Sequence, residues 1–94
     1  DMETLAGNRT LTLDEVNRYQ AFSFDPGGAG RNVILPAEAG CAGVVLMISN
    51  QANAAEILTI QNDAGGTVCT PTQAEAALVW CDGTIWCGLV GAQS

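Results

Sequence analysis

The sequence predicts an all-β fold, a small antiparallel β-sandwich or barrel with an extended N-terminal arm. Residues 1–10 form the arm and residues 11–94 a single β domain. Two observations point there. Seven or eight short segments either alternate apolar and polar side chains or are apolar throughout, and Gly, Pro, Asn and Asp clusters punctuate them about every ten residues. No internal repeat of fixed period and no low-complexity tract is visible. A chain of 94 residues makes one compact domain, and a domain of this size hides only about 60 to 65% of the surface its unfolded chain exposes.

In chain order, Asp1 to Thr10 are polar, with Met2 and Leu5 as the only sizeable apolar groups, which reads as an arm without a core of its own. Thr12 followed by Glu15 can form a capping box over Leu13 to Tyr19 and so one or two helical turns, whereas Leu11 with Leu13 fits a short strand equally well. From Tyr19 the period becomes two, with Phe22 and Phe24 on one face and Ala21 and Ser23 on the other. Asp25-Pro26-Gly27-Gly28 is a turn: Pro presets φ, Gly supplies positive φ and Asp bonds its own backbone two residues on.

Arg31 to Leu35 alternates again, with Val33 and Leu35 inward, and stops at Pro36, which cannot donate to a ladder. Val44 to Ile48 is apolar at every position, so both faces of that strand are expected to be covered. Ile57 to Gln61 and Thr67 to Cys69 flank the hairpin-like Asn62-Asp63-Ala64-Gly65-Gly66, and Pro71 ends the second segment. Glu75 to Cys81 and Thr84 to Val90 flank Asp82-Gly83, the strongest hairpin signal, and this hairpin too is apolar on both sides.

A two-residue turn at Asp82-Gly83 sets Cys81 against Thr84 and Cys87 against Leu78, on opposite faces, and pairs Trp80 with Ile85 and Trp86 with Val79. A three-residue loop would bring Cys81 and Cys87 onto one face. In the first register the tryptophans also lie on opposite faces. One then belongs to the core and the other is an interface anchor, unless loops cover both. The four cysteines, Cys41, Cys69, Cys81 and Cys87, read as buried thiols of a protein made in a reducing cytoplasm. A secreted, disulfide-bonded adhesion domain is the competing reading.

Enzymatic chemistry is not expected. With no histidine and no lysine, the commonest general base, metal ligand and Schiff-base nucleophile are all missing. None of Ser23, Ser49 and Ser94 sits in a nucleophile elbow, and Cys41 has no histidine to activate it. No cofactor and no metal is expected, since the cysteines are not closely paired and the turn aspartates Asp25, Asp63 and Asp82 serve better as local backbone acceptors. Only three cations, Arg9, Arg18 and Arg31, stand against ten acids, for a net charge of −7. That balance argues against nucleic acid and against anionic membrane surfaces as partners. No apolar run nears the length of a membrane span, and the first residues do not spell a secretory leader.

At 48% hydrophobic and 14% charged, the chain has little polar material with which to cover a small core. A two-layer fold uses one face of each sheet, so the second apolar face of the central and C-terminal segments needs another chain; a densely packed, Ala- and Gly-rich monomer is the alternative. The expected interface residues are Met2, Leu5, Arg9 and Leu11 of the arm and its junction, with Val45, Met47, Leu78, Trp80 and Trp86.

The stretch Phe22-Ser-Phe-Asp-Pro-Gly-Gly-Ala-Gly-Arg31, then Val33-Ile-Leu-Pro-Ala37 and Gly40, resembles small virion proteins of tailed bacteriophages. Arg9-Thr-Leu-Thr-Leu13 is similar to their Thr-rich lead-in, and Ile48-Ser-Asn50, Leu58-Thr-Ile60 and Val79-Trp-Cys-Asp-Gly-Thr-Ile-Trp86 resemble their second half. The likeness extends from about Arg9 onward. Among these proteins the head decoration, or capsid cement, proteins match best in size. The resemblance implies a trimer or small homo-oligomer on the outer capsid of a virion, made in the host cytoplasm and bridging copies of the major capsid protein. The four cysteines and the missing lysine are no part of that pattern. The same resemblance admits a tail-fibre or spike module that binds a host glycan or protein, for which Asp82-Gly-Thr-Ile-Trp86 is the motivating segment.

Overall fold

The computed structural model describes residues 2–94. Nine strands and one short helix follow in the order β1 (Met2–Thr4), β2 (Arg9–Thr10), α1 (Leu13–Arg18), β3 (Ala21–Asp25), β4 (Arg31–Ile34), β5 (Val45–Asn50), β6 (Leu58–Gln61), β7 (Thr67–Cys69), β8 (Glu75–Cys81) and β9 (Trp86–Ala92), with a 3-10 turn at Glu38–Gly40. The fold is all-β, as its alternating segments predict. The strands make two open sheets, β1-β3-β5-β8-β9 and β2-β4-β6-β7, and no barrel closes.

Neither sheet is the antiparallel one expected. β1, β3 and β5 run parallel to one another, and so do β2, β4 and β6. Only β8 and β9 in the first sheet and β7 in the second pair antiparallel. Parallel neighbours cannot be joined by a tight turn and need a long crossover. Here each crossover is itself a strand of the other sheet, so the chain winds between the sheets for three turns before β7, β8 and β9 fold back. Met2 lies beside Ser23, Arg9 beside Val33, Ala21 beside Met47 and Arg31 beside Leu58, offsets of 21, 24, 26 and 27 residues. A drifting offset of this kind leaves no fixed period in the sequence.

The expected arm is also corrected. Its residues open both sheets: Met2–Thr4 pairs with β3, and Arg9–Thr10 with β4. Leu5 continues the first ladder by donating its N–H to the Asp25 carbonyl at 2.8 Å, and Leu11 continues the second by donating to Ile34 at 2.9 Å. Both leucines are core residues, 5% and 1% exposed. The Asp25 turn makes this fit possible. Its carboxylate accepts from the Gly27 N–H at 3.0 Å, and Gly27, at φ +77°, passes so near the Leu5 carbonyl that a Cβ there would overlap the oxygen. Glycine is required for conformation and for space alike.

α1 begins at Thr12, where the capping box forms as its spacing predicts: Thr12 Oγ1 accepts from the Glu15 N–H and the Glu15 carboxylate accepts from the Thr12 N–H. Six residues are too few for a helix to hold alone; burial of Val16 and the side chain of Glu15 fasten this one to the sheets.

One buried cluster draws on both sheets, with Phe24, Leu46, Ile48, Ala77, Val79, Cys81 and Trp86 from the first and Val33, Leu58 and Ile60 from the second. Leu35, just beyond β4, joins them and is fully buried. Asn50 is the polar exception. Its Nδ2 donates to the Glu56 and Pro71 carbonyls at 2.9 and 3.0 Å, and its Oδ1 accepts from the Ala52 N–H at 2.9 Å. A buried amide so fully bonded avoids the cost of desolvation and joins the end of β5 to the loops around β6 and β7. At the other end Gly88 lets β9 approach β7: a Cβ on it would lie 2.9 Å from both Cys69 Sγ and Val68 Cγ1.

Candidate interaction surface

The loop between β8 and β9 sets the register of the outer face. It has four residues, Asp82 to Ile85, rather than two, because the Asp82 carboxylate accepts from the Thr84 and Ile85 N–H groups at 2.8 and 2.9 Å and closes a wider turn. These backbone donors hold the Asp82 carboxyl below its ordinary range. Cys81 therefore faces Trp86, and Trp80 faces Cys87. Two extra loop residues move every cross-strand partner by two, which conserves faces. The tryptophans, like Cys81 and Cys87, lie on opposite faces as the two-residue register has it, although the pairs themselves differ.

Trp86 is the inner tryptophan. It is 5% exposed and donates its Nε1–H to the Pro36 carbonyl at 3.0 Å, so its expected place at an interface is corrected to the core. Trp80 stands half-buried on the outer face.

That outer face is read directly from the pairing. One row across the first sheet is Val45, Trp80 and Cys87; the next is Ala21, Met47, Leu78 and Leu89; a third is Met2, Ser23, Ser49, Ala76 and Gly91. None of these side chains is charged. Met47 is 47% and Leu89 60% exposed, and Met2, Val45 and Leu78 are exposed as well. β5, expected to be covered on both sides, alternates strictly between buried and open. Leu78 with Leu89 and Met47 forms the wall of an apolar trough of about 490 Å³, and Ala76 and Gly91, the small pair of the next row, leave its floor low.

The polar side chains along this face bond chiefly to one another and to backbone. Ser49 Oγ donates to Ser23 Oγ at 3.0 Å, and Gln51 Nε2 donates to Ser49 Oγ and Gln93 Oε1, both at 3.1 Å. Gln93 Nε2 donates in turn to the Asn50 and Glu75 carbonyls. Covering them costs less than covering unpaired groups, which lowers the main penalty for drying a surface.

The N-terminal corner is different in kind. Arg9 donates Nε–H to Glu3 at 3.0 Å and Nη1–H to Glu15 at 3.0 Å and to the Thr10 carbonyl at 2.8 Å. Its guanidinium also lies 6.0 Å from the centre of the Phe24 ring. The Arg9 bonds, reinforced by the Thr12 N–H, pull the Glu15 carboxyl down to about 2, and the guanidinium is raised above its own ordinary value, chiefly by Glu15. A cleft of about 320 Å³ opens beside these groups, walled by Tyr19, Phe22 and Ser23. Arg9 was expected at an interface, and here its donors are spent within the chain.

Of the expected interface residues, Met2, Val45, Met47, Leu78 and Trp80 fall on one face, while Leu5, Leu11 and Trp86 are interior and Arg9 is tied to its own carboxylates. Leu89, Ala76 and Gly91 were missed. The hairpin register assumed from sequence already puts Leu89 opposite Ala76 on this face, so the signal was there.

All four cysteines are free thiols. Burial pushes the Cys41 thiol up, with Cys81 and Glu38 adding to it, and burial raises Cys69 too. Among the described residues no group of three or more His, Cys, Asp or Glu side chains is placed to hold a metal ion, and no helix is long and apolar enough to cross a membrane. No family model matches the chain, and neither a curated protein nor a solved structure matches it.

Proposed function

We propose that this chain is a virion structural protein that decorates and stabilises the outer capsid surface of a tailed bacteriophage as a trimer or small homo-oligomer. It acts by contact and not by catalysis, with the major capsid protein and its own copies as partners. The observation that carries the reading is the outer face of the five-stranded sheet, where three successive rows of side chains from Val45 to Met2 carry no charge, on a chain of net charge −7. Large apolar faces on small proteins mark protein contact, and acidic charge elsewhere keeps crowded copies soluble. The likeness of Phe22 to Gly40 to phage virion proteins supplies the setting. The reading takes the two open sheets as layers of a sandwich, because their inner side chains share one buried cluster. For the tail-fibre alternative, the Asp82 segment offers little, since its carboxylate is engaged by its own loop.

Cryo-electron microscopy of particles carrying the chain tests this. Density for a 94-residue β module on the outer head lattice is expected. Density confined to the tail would overturn the capsid assignment and favour host attachment.

A further inference from the structure

We propose that the outer face of the five-stranded sheet is a twofold contact between two copies of this chain, in which Leu89 of each copy seats in the trough beside Leu89 of the other. This rests on the reading above that the face binds protein, and it names the partner.

Shape is the first argument. The most exposed knob on the face, Leu89, stands at the wall of a trough whose floor is Ala76 and Gly91. A twofold axis requires that if one residue meets a second, the second also meets the first, and a knob next to a hole meets that requirement when the copy is turned over. Charge is the second. Two molecules of net charge −7 repel wherever acids face acids, and the three uncharged rows of this face let them meet with the Asp25 carboxylates left at its margin. The third argument is that Ser23, Ser49, Gln51 and Gln93 are hydrogen-bonded among themselves or to backbone, so they ask less of the other copy than unpaired groups would.

Area sets the strength. The exposed parts of the apolar side chains here come to roughly 400 Å² per copy, about half of a standard-size interface. The pair is thus a weak, reversible one, since interfaces of that size belong to transient encounters. On a lattice that presents many copies side by side, contacts of this strength add up through effective concentration.

Sedimentation equilibrium of the purified chain decides it, with Gly91→Leu and Leu89→Ser as variants. A Cβ at Gly91 meets nothing within 4 Å, so leucine fills the trough without disturbing the monomer, and thermal melting confirms that the variant folds. The expected result is a monomer–dimer equilibrium that either variant weakens at least about tenfold, and that tightens as added salt screens the acidic charge. A wild-type chain monomeric up to about 500 µM, or a Gly91→Leu chain that pairs like wild type, overturns the proposal. A monomeric chain that still decorates heads would refute the pairing and leave the function standing. Pairing as described, with no density on the head, would do the reverse.

Discussion

The N-terminal corner and the C-terminal hairpin carry comparable promise of an interface in the sequence and end in opposite states. Residues 2–10 look like an arm in want of a partner, yet they close onto the same chain, with Leu5 and, just beyond the arm, Leu11 buried and Arg9 clamped between Glu3 and Glu15. The hairpin looks apolar on both sides and remains bare on one, at Leu78 and Leu89. The difference is one of capacity. A polar segment with two well-spaced leucines can bury both in a single core, whereas a ribbon apolar on two faces can give only one of them to its own domain.

Substitutions can sharpen that contrast, and the largest effect belongs to the corner. Leu11→Ala is expected to cost about 3 kcal/mol of folding stability in urea titration, and Leu5→Ala nearly as much. Leu89→Ser on the open face should change monomer stability by less than about 0.5 kcal/mol. Equal costs would mean that the arm is not part of the core, or that the outer face is not bare. Within the hairpin, two glycines of one strand should separate next. Gly88→Ala drives a methyl against Cys69 and Val68 and is expected to lower stability by about 1 to 3 kcal/mol. Gly91→Ala meets open space and should be neutral or raise stability by about 0.5 kcal/mol.

The smallest effect is electrostatic. Glu15 titrates near 2 in the folded chain against an ordinary 4.5. A depressed carboxyl stabilises the fold at pH above its unfolded value, and that contribution drains away as pH falls from 4.5 toward 2. After allowance for solvent screening it amounts to about 1 kcal/mol at neutral pH. Glu15→Gln should therefore be less stable than wild type by that amount at pH 7 and converge on it in acid; a gap that persists at low pH would assign the loss to packing.

Strand positions from β3 onward, the capping box at Thr12, the Asp25 turn and the opposed tryptophans were legible because each is a local rule. Alternation at Phe22 and Phe24 or at Val33 and Leu35 tells which face is inward and is silent about which strand lies alongside. Parallel winding escaped for that reason, and because the offsets drift from 21 to 27 residues instead of repeating. Leu5 escaped because its burial depends on a carbonyl passing over Gly27, a contact between residues 22 apart in number. The outer face was half legible: Val45, Met47, Leu78 and Trp80 follow from alternation, while choosing between Trp80 and Trp86 needed the Pro36 carbonyl that Trp86 finds across the core.

The interleaved winding of the first six strands bears on how the molecule is made. β3 needs only β1 beside it, β4 only β2, and β5 and β6 lay themselves on strands already in place. A ribosome delivers them in that order, so assembly can track synthesis. The last ribbon, β8 with β9, can zip locally but has no site until β5 is present. Until it arrives, β5 is an uncapped edge, and the nascent chain is most open to mispairing in the interval between the synthesis of β5 and that of β8.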